Sequence, residues 1–158
     1  MSSFTHLDDK GRVRMVDVTD KKPTLRVAVA GGSIFMKPAT FNMIKDQKVK
    51  KGNVLETARI AAIMAAKKTS ELIPMCHPLN ITHVQVDFDP DDSNHSIGIK
   101  ASVRVRDQTG VEMEALCAVS AAALTIYDMC KSYDREMTIN NIRLLEKSGG
   151  KSGTFKRK

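Results

Sequence analysis

Apolar side chains fall at alternate positions from Thr24 to Met36, at Leu25, Val27 and Val29. That two-residue period predicts a strand with one face buried. Gly31-Gly32 within the run predicts a bulge or turn. The same period returns at 83–89, with Val84, Val86 and Phe88, and at 96–106, with Ile97, Ile99, Ala101, Val103 and Val105. "PDDSN" between these runs is turn chemistry, so they form a hairpin. A last candidate strand covers 137–147. The helical period appears at 53–69, where Asn53 is a candidate N-cap and Glu56 completes a capping-box pattern. Ala58, Ala61, Ala62, Ala65 and Ala66 lie nearly all round this helix, which predicts burial on more than one side, against a sheet and against another subunit. A second long helix covers 112–131, with Leu116, Val119, Ala123, Ile126 and Cys130 in one apolar stripe. A short helix at 38–47 starts at Pro38.

The order strand, helix, strand, strand, helix, strand is that of the ferredoxin-like split βαβ arrangement. The expected fold is therefore α+β: a four-stranded antiparallel sheet with two long helices on one face, as a single domain over 1–158. Residues 1–23 are polar and read as an extended arm. Residues 148–158 read as a basic, Gly-rich, mobile tail.

Composition narrows the function. The chain has 158 residues and a net charge of +7, with a pI near 9.4. An anionic partner follows, whether nucleic acid, phosphorylated metabolite or anionic lipid. The three cysteines, Cys76, Cys117 and Cys130, form no C-x-x-C pair. That spacing argues against a disulfide framework or zinc ribbon and for a reducing compartment. The start of the chain lacks an apolar signal core, and the longest uncharged run, Ala115 to Tyr127, is too short to span a bilayer. The expectation is a cytoplasmic protein with no membrane partner.

The candidate chemistry is scattered along the chain. In "LIPMCHPLN" (72–80) proline follows both Ile73 and His77, which biases both to extended backbone. The segment holds Cys76 and His77 stiffly outside any helix, as a presented imidazole or as a plain connection. Asp128 and Lys131 are three apart on a helix, either a solvated ion pair or a semi-buried pair tuned for acid–base work. Glu112 and Glu114 start that helix, and Thr109 with Glu112 matches a capping box. Lys48, Lys50 and Lys51 precede a capped helix, where backbone N–H groups favour anions. "KSGGKSG" (147–153) is not a P-loop, because Leu145 stands where its first glycine belongs and no helix follows. A flexible loop closing over phosphate remains open to it, as does a plain tail. His77 with Cys76 or His83 is poor metal-ligand geometry, so no metal site is expected. His6 and His95 read as incidental.

Taken together, "MVDV" (15–18), "KKG" (50–52), "LIPMCHPL" (72–79), "TGVEMEAL" (109–116), "ALTIYDMCK" (123–131) and "LLEKSGGKSG" (144–153) resemble the MoaC family of molybdenum-cofactor biosynthesis. The resemblance covers nearly the whole chain. It implies a homo-oligomer, a hexamer built as a trimer of dimers, with active sites between subunits. It implies as substrate the GTP-derived cyclic nucleotide 3′,8-cyclo-7,8-dihydroguanosine 5′-triphosphate, and as products cyclic pyranopterin monophosphate and diphosphate. The family's functional positions match Lys51, His77, Glu112, Met113, Glu114, Asp128 and Lys131, with Arg26, Lys67 and Lys147 as phosphate contacts. On the chemistry, proton transfer falls to Lys51 and Lys131 with Asp128 orienting Lys131, and Glu114 with Met75, Cys76 and His77 holds the guanine-derived ring. No resident cofactor is implied, although Mg²⁺ can accompany the triphosphate. Lysines with depressed pKa values would exchange protons near neutral pH.

Two rivals are weaker. An RNA-binding module would need exposed strand aromatics, and the hairpin offers only Phe88 at an inward-type position. A purely structural subunit would not confine acids and bases to stiff or capped positions. Helix geometry adds one expectation. Glu114 and Asp128 are 14 positions apart, about 21 Å on one helix. Groups that act on the same atoms must therefore come from different chains, with Lys51 or His77 on one and Asp128 or Lys131 on the other.

Overall fold

The computed structural model describes residues 7–158; His6 lies outside the described residues. Its strands are β1 (Thr24–Phe35), β2 (His83–Asp91), β3 (Ser96–Asp107), β4 (Thr138–Ser148) and β5 (Phe155–Lys156). The helices are α1 (Pro38–Lys45), α2 (Val54–Lys67), α3 (Thr69–Leu72) and α4 (Glu112–Cys130). The sheet order is β2-β3-β1-β4-β5, with every neighbouring pair antiparallel. The first four strands are the expected ferredoxin-like sheet.

The strand count needs correction from four to five. Lys156 pairs with Glu146 and Phe155 with Lys147, and the Arg157 N–H donates to the Leu145 carbonyl at 2.8 Å. The tail thus turns back and covers the outer edge of β4 over its last residues, 145–147, whose N–H and C=O groups would otherwise be unpaired. A two-residue strand is too short to show a period in the sequence.

β1 runs on through Gly31-Gly32 without a turn, and the bulge expected there lies in its pairing with β4: Gly31 faces Arg143 and Ser33 faces Asn140, so β4 carries one extra residue opposite Gly32. A second irregularity lies one step earlier, where Val29 faces Glu146 and Ala30 faces Leu144, so Leu145 is skipped two residues before Lys147.

The core lies between the sheet and the two long helices. It comprises Ala28, Ala30 and Ile34 of β1, the alternating Ile97 to Val105 of β3, and Ala115, Ala118, Val119, Ala122 and Ile126 of α4. Small buried residues on α2, Ala58, Ala62 and Ala66, let it lie close beside α4. The outer face of this helix layer is apolar as well: Ile60, Met64 and Leu124 are more than half exposed, at 60%, 54% and 61%. α4, at 19 residues, is long and apolar enough to cross a membrane, but half of its apolar stretch is buried here.

Capping explains the start of α2 and not that of α4. The Asn53 side chain accepts the Glu56 N–H at 3.2 Å. The Glu56 carboxylate turns to the Arg59 guanidinium instead of closing the box. At α4 the N-cap position is Val111, with no side-chain cap. The Thr109–Glu112 capping box therefore does not form. Glu112 is drawn to Lys147, a charged partner stronger than a neutral N–H. At the other end of α4, Asp134 is 2% exposed and accepts the N–H groups of Lys37 and Glu136 at 2.8 and 3.0 Å. It fixes the α4–β4 connection to the start of α1.

Candidate active site

α4 carries a polar cluster at each end. At its C-terminal end the Lys131 ammonium donates to the Asp128 carboxylate at 2.6 Å. Lys51 arrives from the turn between α1 and α2; its ammonium donates to the Asp128 main-chain carbonyl at 2.9 Å and stands 3.8 Å from the carboxylate. The turn is held independently by the Lys50 N–H, which donates to the Tyr133 hydroxyl at 3.3 Å. Tyr133 escaped the sequence reading because the contact is with backbone, which leaves no residue pattern. The Lys131 hydrogen bond holds the Asp128 carboxyl below the usual range. In return, the carboxylate raises the Lys131 ammonium above its usual value. That corrects the expected depression at Lys131. The semi-buried alternative for this pair is corrected too: in the single chain the Asp128 and Lys131 side chains are 61% and 52% exposed, so no burial opposes the pairing.

At the N-terminal end of α4, Glu112, Met113 and Glu114 face Met75, Cys76 and His77 across a cavity of about 510 Å³. Ile73 is extended, as its following proline requires. The His77 Nε2–H donates to the Val16 carbonyl at 2.8 Å and so ties the N-terminal arm over the cavity. Val16, Val18 and Lys21 of that arm line the wall. Glu114 is 4% exposed. Burial, with the nearby Glu112 charge adding to it, pushes its carboxyl up to about 7. Burial first, and then Glu114, pushes the Cys76 thiol up.

A larger cavity of about 920 Å³ adjoins the first, and Lys21, Thr109, Gly110 and Glu112 line both. Its cations are Lys21, Lys22, Arg26, Lys147 and Lys151. The Arg26 guanidinium donates to the Asp107 and Gln108 carbonyls at 2.9 and 2.8 Å. Lys147 pairs with Glu112 at 2.9 Å and donates to the Ser152 hydroxyl at 3.1 Å. Gly149 and Gly150, at φ +94° and +73°, let the 148–152 loop lie on β1. A side chain at 149 would strike the Leu25 carbonyl and one at 150 the Arg26 guanidinium.

The structure thus joins Lys51, Asp128 and Lys131 in one cluster, and Met75, Cys76, His77, Glu112, Met113 and Glu114 in another, with Arg26 and Lys147 beside the second. Lys67, in the last turn of α2, lines neither cavity. The expected partition with Lys51 on one chain and Asp128 on another is overturned: both stand in the same chain, because the α1–α2 turn wraps the end of α4. Lys21 and Lys22 were missed as cavity residues, hinted at only by the cations of the arm. Lys151 was expected only as part of the 147–153 loop and not as a site residue in its own right.

This open antiparallel sheet, with two long helices and a basic cleft at one end of them, defines a ferredoxin-like α+β subunit. Comparison with known proteins narrows that class. The MoaC family profile matches residues 15–150. The cyclic pyranopterin monophosphate synthase of Desulfatibacillum aliphaticivorans is 66% identical over 155 residues, covering 98% of this chain and 98% of its own. The protein of that name from Desulforapulum autotrophicum is 64% identical over 155 residues, covering 98% and 95%. That from Pelotomaculum thermopropionicum is 58% identical over 158 residues, covering 100% and 93%. The chain belongs to the MoaC family.

Proposed function

We propose that this chain is a cyclic pyranopterin monophosphate synthase, a lyase of molybdenum-cofactor biosynthesis. It converts 3′,8-cyclo-7,8-dihydroguanosine 5′-triphosphate to cyclic pyranopterin monophosphate and diphosphate. The observation that carries the reading is the pair of adjoining cavities, one basic and one lined by Met75–His77 and Glu114. The triphosphate sits against Lys21, Lys22, Arg26, Lys147 and Lys151. The guanine-derived ring sits between Met75–His77 and Met113–Glu114. At neutral pH Glu114 is partly protonated, so its carboxyl can donate as well as accept a hydrogen bond from a ring that presents both kinds of group.

Lys51 and Lys131 exchange protons during the ring rearrangement, and Asp128 orients them. Closing the cyclic phosphate forms one P–O bond from a substrate hydroxyl to the α-phosphorus and breaks the bond to the β-phosphate. The hydroxyl proton must be taken up, and diphosphate departs. Because these lysines stand at the far end of α4 from Glu114, they act on substrate held by another subunit. The exposed apolar row of Ile60, Met64 and Leu124 supports a homo-oligomer, read as a hexamer of three dimers. Cover by a second subunit would desolvate Lys131 and lower its pKa, against the rise that Asp128 causes in the open chain. Mg²⁺, where it takes part, travels with the triphosphate. Phe88 supports a metabolite over RNA: it packs under the Arg59 guanidinium, 5.2 Å from its ring centre. The free cysteines accord with a cytoplasmic home. The test is turnover of the cyclised GTP intermediate by purified protein, followed as diphosphate release. Stoichiometric release is expected, and none from folded, assembled protein would overturn the reading.

A further inference from the structure

Among the described residues, Lys147 is the cation of the basic cavity that is engaged by a carboxylate, Glu112, at 2.9 Å. Arg26 by contrast meets only neutral carbonyls. The ion pair is three-quarters withdrawn from water, with the two side chains 27% and 28% exposed. Its geometry is imposed by the backbone. The Glu112 side chain folds back across Gly110 so closely that a Cβ there would overlap its carboxylate. Glycine at 110 therefore leaves room for the carboxylate to lie at the junction of the two cavities, where it holds the lysine.

We propose that Glu112 is an internal competitor for the phosphate site: its carboxylate occupies Lys147 in the empty protein, must give that lysine up when phosphate binds, and takes it back to help expel diphosphate. This rests on reading the basic cavity as the phosphate site, but it reverses the expected sign for Glu112. A residue that simply binds substrate would weaken phosphate affinity when removed. A competitor strengthens it, because two anions that share one cation each weaken the other by the same factor.

The experiment is calorimetric titration of the assembled protein with inorganic diphosphate at fixed ionic strength. Glu112→Gln should tighten diphosphate by about fivefold or more, and diphosphate should inhibit that variant at correspondingly lower concentration. Lys147→Gln should weaken diphosphate, and in the double variant the gain from Glu112→Gln should shrink, because that gain runs through Lys147. In the wild-type protein the ¹³C resonance of the Glu112 carboxylate should move on saturation with diphosphate, a measurement that needs no variant to fold. Unchanged or weaker binding by folded Glu112→Gln, or an unmoved resonance, overturns the competitor role while leaving the cavity as a phosphate site. Failure of the wild-type protein to bind diphosphate overturns both.

Discussion

Lys51 donates to the main-chain carbonyl of Asp128 at 2.9 Å, while Lys131 takes the carboxylate of the same residue at 2.6 Å. One aspartate therefore fixes two ammonium groups by two different oxygens. Neither lysine needs the other's partner, so each can leave its place to meet a substrate without releasing the second. The Tyr133 tie at Lys50 N–H keeps the turn in position when Lys51 lets go.

Lys51→Ala and Lys131→Ala should each lower turnover by about 100-fold or more, the scale of a lost acid–base group. Both side chains are about half exposed, at 47% and 52%, so melting temperature should hardly change. Steady-state kinetics and thermal melts on the same preparation decide it. Near-wild-type rates in both variants would remove lysine acid–base catalysis.

His77→Ala should raise KM and release the N-terminal arm. The imidazole is what ties Val16 over the ring cavity, and it lies on a connection with little core packing to lose. Trypsin should cut faster at Arg12 and Arg14 in the variant, with a small change in melting temperature. A large fall in melting temperature with unchanged KM and cleavage would assign His77 to the scaffold alone.

Glu114 gives a pH signature. Its carboxyl titrates near 7 when folded, against an ordinary 4.5, so the folded chain binds this proton more tightly than the unfolded one. The stability tied to that proton is whole below pH 4.5 and is lost as pH rises through about 7. Glu114→Gln should therefore raise the melting temperature by several degrees at pH 8 and hardly at all at pH 4. An equal gain at both would mean that burial of the charge is not the cause.

The sheet, both long helices and the turn between β2 and β3 were legible in the sequence because each has a sustained period with turn or cap residues at its ends. β5 was not, since Phe155 and Lys156 are too few to show one. The Thr109–Glu112 box was misread because its local pattern is genuine, but a cation 35 positions further on, at Lys147, outbids it. The site residues were legible as motifs and not as a geometry. Nothing local to "KVKKGN" says that its turn wraps the end of α4, and that one fact moved Lys51 from one expected cluster to the other. Lys21 and Lys151 become cavity residues only through the folding-back of the arm and tail, which no short-range pattern encodes.

The central claim is that one active site takes Glu114 and His77 from one subunit and Lys51, Asp128 and Lys131 from another. It is tested most directly by mixing two impaired variants, Lys51→Ala with His77→Ala, or Asp128→Asn with Glu114→Gln, after dissociation and reassembly, with activity read at substrate well below KM. If the clusters act across an interface, some mixed interfaces regain one intact site and activity partly returns. The pair Lys51→Ala with Lys131→Ala is the negative control: both lysines belong to one cluster of one chain, so every chain in that mixture supplies a damaged cluster and no recovery is expected. Return of activity in the first two mixtures and not in the third is the predicted result. No return in any mixture, with subunit exchange confirmed by mass, would contradict the shared site.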